Sequence, residues 1–97
     1  MKEKHYLIAY DITDDRRRRM IVKLLMNYAY RIQFSIFEFT ATESIAQKIY
    51  EKVKRIIEEN EDSVSIYELC SEDWNKRIRM GVNKEEINIY EQSAAII

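Results

Sequence analysis

An α+β sandwich, with two helices on one face of an antiparallel sheet, is the fold class that three observations predict. Segments of strand period and helical period follow one another in the order strand, helix, strand pair, helix, strand. The chain has 97 residues, no proline and one glycine, Gly81, so nothing in residues 1–97 marks a second domain or a linker. A chain this short buries only about 60 to 65% of the surface its unfolded form exposes, which makes self-association an expected supplement.

Residues 6–12 are apolar on both pleat faces, with Tyr6, Ile8, Tyr10 and Ile12 against Leu7 and Ala9, as in a central strand; Asp11 interrupts the pattern near its end. Thr13 or Asp14 can cap a helix running from about residue 15 to 27, on which Met20, Ile21, Leu24, Leu25 and Tyr28 recur with helical period. Residues 30–40 alternate as a strand with Ile32, Phe34 and Ile36 on one face, until Phe37 and Phe39 reverse the phase. A bulge or a break into two short strands is expected near residues 35–37.

A capping box over Thr40-Ala-Thr-Glu43 opens the second helix, with Ile45, Ile49, Val53, Ile56 and Ile57 as its buried stripe. Residues 63–70 and 77–82 read as further strands, residues 87–91 as a last short one, and residues 94–97 as an apolar end. The uncovered sheet face, Phe37, Phe39 and that apolar end together predict a homodimer packing sheet against sheet.

The formal net charge is -1, which makes no case for a polyanion or a membrane as partner. Its distribution does. Residues 1–31 hold eight Lys or Arg against four acids, while residues 32–97 hold eight against thirteen. A polyanion should therefore meet Arg16, Arg17, Arg18, Arg19 and Arg31. On a helical projection Arg16, Arg19 and Lys23 fall on the polar side, whereas Arg17 and Arg18 point toward the sheet end that holds Asp11. A solvated basic helix start is the plainer reading of the same run.

The single cysteine, Cys70, excludes an internal disulfide and a cysteine-rich metal site; a buried small hydrophobe in a reducing cytoplasm is its expected role. No apolar run approaches a membrane span, and the first twenty residues are too charged for a signal peptide, so a cytoplasmic protein is expected. His5 reads as a solvated terminal residue and Trp74 as a cover for the sheet edge.

The strand ending in Tyr10-Asp11, the following "DITDDRRR", "RIQFSIFE" at residues 31–38 and "EDSVSIYELC" at residues 61–70 stand at intervals that resemble the CRISPR-associated protein 2 family, over residues 6 to about 82. The resemblance implies a ferredoxin-like fold, a symmetric homodimer and an extra C-terminal strand, within residues 83–97, that engages the partner subunit. It implies a role in acquiring new CRISPR spacers, as a scaffold between dimers of the CRISPR integrase, CRISPR-associated protein 1, with metal-dependent nuclease activity on RNA or duplex DNA. The family's metal-binding, catalytic aspartate falls on Asp11, its tyrosine on Tyr10, its arginines on Arg18 and Arg31, its serine on Ser35 and its phenylalanine on Phe37. Where some relatives carry a second arginine in the first helix, this chain has Met20.

Phosphodiester hydrolysis needs a deprotonated water and neutralisation of charge growing on phosphate, which a divalent metal supplies. One carboxylate is a poor site for a hard cation, but two copies of Asp11 facing each other across a dimer axis suit one Mg2+, an ion that retains several waters. Arg18 and Arg31 are then the phosphate contacts, since guanidinium forks match phosphate oxygens. The structural alternatives are an Asp11 bonded to loop amides, a Ser35 bonded to backbone, and arginines paired with Asp14, Asp15 or Glu38. A toxin-like or antitoxin-like RNA-binding module is the alternative outside CRISPR immunity.

Overall fold

A computed structural model describes residues 2–81, in the order β1 (Glu3–Asp11), α1 (Asp15–Met26), β2 (Tyr30–Gln33), β3 (Ile36–Thr42), α2 (Glu43–Ile56), β4 (Ser63–Leu69) and α3 (Ser71–Asn75). The strands form one sheet in the order β2-β3-β1-β4, with each neighbouring pair antiparallel. This is the split β-α-β arrangement of a ferredoxin-like sandwich, as expected.

Strand β1 is central, and its period-2 alternation separates two environments. Tyr6, Ile8 and Tyr10 are buried in the core with Ile21, Leu25, Ile49 and Val53 of the helices, while Leu7 and Ala9 are half-buried on the open face and Asp11 is exposed there. Asp14 caps α1 by accepting the Arg17 amide at 2.9 Å, and Asp15 adds a carboxylate to the positive first turn. The buried positions of α1 are Ile21 and Leu25, one helical turn apart. Met20, expected in that stripe, is exposed, because it sits one position round from the axis of the buried face.

The expected phase slip is real. Phe34 and Ser35 form the turn of a hairpin between β2 and β3, and the register shifts between Arg31 and Gln33. This turn moves Phe34 out of line with Ile32 and Ile36, leaving it 67% exposed, and swings Phe37 and Phe39 under the helices, where they are 0% and 4% exposed. The two phenylalanines therefore do not supply the apolar open face anticipated for a dimer. Leu7, Ala9, Ile36 and Tyr67 stand on that face instead, joined by cross-strand register.

Helix α2 is capped by Thr42, whose hydroxyl accepts the Ile45 amide at 3.3 Å, because β3 runs to Thr42 and consumes the Thr40 that the capping box assigned to the cap. Ala46, Ile49 and Val53 are its buried residues, and Ile45 is exposed at the helix start. Cys70 is exposed rather than buried: its Sγ caps the short α3, accepting the Asp73 amide at 3.4 Å. Residues 77–80 form no strand; they follow α3 across the open face. The expected strand at residues 87–91 and the apolar end lie outside the described residues. Among the described residues no helix is long and apolar enough to cross a membrane.

An ion cluster around the buried Asp62 ties the first turn of α1 to the segment leading into β4. The Arg17 guanidinium donates to Asp62 at 2.7 and 3.2 Å and to Glu61 at 2.9 Å, and Asp62 also accepts the Glu58 amide at 2.9 Å. The Arg17 hydrogen bonds, followed by the Glu58 amide, hold the Asp62 carboxyl below the usual carboxylate range, and the same contacts hold Arg17 more firmly protonated.

Two outcomes follow for stability. Phe37→Ala, at a fully buried site, should cost about 3–5 kcal/mol in chemical denaturation. A carboxyl whose folded pKa is depressed stabilises the fold above its unfolded value, near 3.9, and loses that contribution as pH falls through the folded value. Asp62→Asn should therefore lower the melting temperature at pH 7 and flatten its dependence on acidification below about pH 4. An unchanged acid limb in calorimetry would contradict the assignment.

Candidate functional site

Three pieces of chain converge at the end of the sheet where β1 stops: Asp11, the hairpin turn at Phe34 and Ser35, and the start of α1. Ser63 lies opposite Asp11 in the β1–β4 register. Burial of Tyr10 against the helices obliges the next residue to emerge on the open face, so Asp11 is exposed there. Among the described residues no ion pair or side-chain hydrogen bond engages the Asp11 carboxylate, and the bonding to loop amides considered above is not observed. Nor do the described residues hold a cluster of three His, Cys, Asp or Glu side chains suited to a metal. Among the described residues this strand end thus offers a hard cation the single carboxylate of Asp11.

The five arginines divide into four kinds. Arg17 is consumed by Asp62 and Glu61. Arg18 wraps the loop between β1 and α1, donating to the Ile12 and Thr13 carbonyls at 3.1 and 3.3 Å and pairing with Asp15, the structural alternative anticipated for it. Arg16 and Arg19 are exposed, with no ion-pair partner among the described residues.

Arg31 holds the hairpin. Its Nε and a terminal nitrogen donate to the Phe34 carbonyl at 3.2 and 2.8 Å, and its guanidinium lies over the rings of Phe34 and Phe37, at 5.5 and 5.6 Å from their centroids. The Tyr10 hydroxyl donates to the same carbonyl at 2.8 Å, and the Tyr10 amide to the Ser35 carbonyl at 3.1 Å. Burial raises the Tyr10 pKa, and the nearby Arg31 and Arg18 only partly offset it, so the hydroxyl remains a donor at neutral pH. Phe37, fully buried, supports Arg31 from inside the core, and Ser35 contributes its backbone to the turn.

A second polar feature, at the middle of the open face, escaped the sequence reading. Glu38, 6% exposed, pairs with Arg77 at 2.8 Å and with Arg79. Arg77 also lies 3.5 Å from the Trp74 ring centroid, and Trp74 stacks on His5 at 4.5 Å, with His5 sharing a 2.8 Å hydrogen bond with Thr40. His5 is thus packed rather than free in solvent, and Trp74 covers the face of the sheet rather than its edge. The one signal in the sequence was a lone acid inside the apolar run "IFEF", which needs a cationic partner when buried. An open groove of about 430 Å³, lined by Tyr28, Tyr30, Glu38, Thr40 and Trp74 among others, adjoins this feature and contains neither Asp11 nor an α1 arginine.

Comparison with known proteins bears on this arrangement. Residues 4–77 match the family model described as CRISPR associated protein Cas2. A protein named CRISPR-associated endoribonuclease Cas2 3, from a Synechocystis species, is 42% identical over 64 residues, which span 66% of this chain and 70% of that protein. The crystal structure of Streptococcus pyogenes Cas2 superposes with a TM-score of 0.69 at 29% identity, covering 80% of this chain and 99% of that one. A chain of a partial Cas6-RT-Cas1–Cas2 complex gives a TM-score of 0.68 at 28% identity, covering 79% and 90%. With the matched region taking in β1 through α3, together with the Tyr10-Asp11 strand end and the "RIQFSIFE" hairpin, the chain belongs to the CRISPR-associated Cas2 family.

Proposed function

We propose that this chain acts in the acquisition of new CRISPR spacers as a homodimeric scaffold that binds nucleic acid and works with the Cas1 integrase, and that Asp11 confers metal-dependent endonuclease activity on RNA or duplex DNA. The observation that carries the reading is an exposed carboxylate at the end of the central strand that has no partner among the described residues, next to a helix start whose Arg16 and Arg19 are likewise uncommitted among them. The neighbouring Cas1–Cas2 complex and the endoribonuclease names of relatives support the same reading.

The open sheet face is the surface for the second copy. Leu7, Ala9, Ile36 and Tyr67 lie on it, and Asp11 emerges from the same face. A twofold packing through that face would bring the two Asp11 carboxylates toward one axis, adding a second carboxylate to the one found among the described residues. Magnesium fits such a donor set, since it takes oxygen ligands and retains waters. When bound, the ion would acidify a water and neutralise charge on the phosphate. Asp11 would hold it, while Arg16 and Arg19 draw the polynucleotide backbone by charge. The separation of Arg17 and Arg18 into structural partners leaves them to shape the loop and the helix start.

Cleavage of RNA and duplex DNA, with and without Mg2+, tests the catalytic part. Asp11→Ala should remain a folded dimer and lose metal-dependent cleavage by at least about 100-fold; cleavage persisting in the purified variant, or a monomer by sedimentation, would contradict it. Binding tests the scaffold part separately. Reversing both cations, Arg16→Glu with Arg19→Glu, should weaken binding to all sequences alike and reduce the slope of log affinity against log salt by about 2.

A further inference from the structure

The Phe34 carbonyl anchors the hairpin, but its side chain is buried against nothing in the core. The residue is 67% exposed at the tip of the β2–β3 hairpin, at the same end of the sheet as Asp11. Single exposed apolar residues are ordinary on protein surfaces and need no explanation. Phe34 differs in how firmly it is presented. Three donors, the Tyr10 hydroxyl and two nitrogens of Arg31, converge on its carbonyl, and the Arg31 guanidinium lies over its ring. The turn is fixed, one ring face carries a cation, and most of the residue still meets solvent.

We propose that Phe34 is a base-stacking residue, on which an unpaired nucleobase lies while its backbone runs along the cations at the start of α1. This rests on the reading of the Asp11 end as a nucleic-acid site. Arg31 lies over the ring itself, and the exposed Arg16 and Arg19 stand in the first turns of α1, which starts at the same end of the sheet, so cations are at hand for a polynucleotide backbone. A nucleotide is the ligand that joins an anionic group to a flat π face. In a continuous duplex both faces of each base are already stacked, so only a single strand, a frayed end or an extruded base can use the ring. The ligand class is therefore single-stranded RNA or DNA, or a duplex with unpaired termini, rather than blunt duplex.

The test uses the full chain without Mg2+, titrated with single-stranded RNA and DNA oligonucleotides and with the corresponding blunt DNA duplex. Phe34→Ala should bind the single strands about tenfold more weakly and leave duplex affinity and salt slope unchanged, since it removes a ring and no charge. Phe34→Leu, which retains apolar bulk without a flat face, should show the same loss and guards against a folding artefact. Phe34→Trp should keep the affinity, and its tryptophan fluorescence should be quenched by single strand beyond the change seen in wild type from Trp74. RNA and DNA arms that differ would tell which sugar the site prefers within the same stacking mode. Wild-type affinity in Phe34→Ala, an equal loss for single strand and duplex, or loss of dimerisation with nucleic-acid binding intact would overturn the assignment. If wild type binds no polynucleotide, both this inference and the functional reading fail; if binding depends on Arg16 and Arg19 but not on Phe34, only this inference fails.

Discussion

The alternation of β1 is the constraint on which the site depends. Tyr6, Ile8 and Tyr10 must point into the layer of helices because they complete its apolar core, and this leaves Asp11 no choice but the opposite face. A slip of one residue would bury a carboxylate among Ile21, Leu25 and Phe37 while exposing two tyrosines and an isoleucine. The penalty for an unpaired buried charge makes the alternative register untenable. Core packing and the location of the acidic group are therefore one decision.

The hydrogen bonds around this strand end convert that decision into a rigid site. The Phe34 carbonyl gathers Tyr10 and Arg31, while the Arg17–Asp62 cluster pins the helix start to the chain segment leading into β4, whose first residue faces Asp11. Two residues that share one charge type, Arg17 and Arg16, end in opposite circumstances. One is desolvated and saturated by carboxylates, and the other stands in solvent with its charge available. Neighbours in sequence can differ this far because a helix turns 100° per residue.

The open face has a different logic. Leu7, Ala9 and Tyr67 lie beside Glu38, a buried acid that is satisfied by two arginines arriving from beyond α3. Removing those arginines would strand a charge in a largely apolar surface, so the segment after α3 is held against the sheet by electrostatic need as much as by the Trp74–His5 stack. Ile78 and Met80, alternating with the two arginines, are left exposed.

The sequence by itself determined β1, α1, the broken stretch that forms β2 and β3, α2 and β4, a cap for α1 at Thr13 or Asp14, and the placing of Asp11 at a strand end, because periodicity and capping are local properties of neighbouring residues. It also exposed the phase reversal at Phe37, which became the hairpin. Tertiary structure alone decided which arginines are consumed, that Phe34 rather than Phe37 is presented to solvent, that Cys70 caps a helix, and that Glu38 is paired with Arg77 and Arg79. The charge pairs among these join residues far apart in the chain, Arg17 with Asp62 and Glu38 with Arg77, and no local pattern encodes which distant partner will arrive. Charge pairing depends on proximity in space, and proximity is settled only when the core has closed.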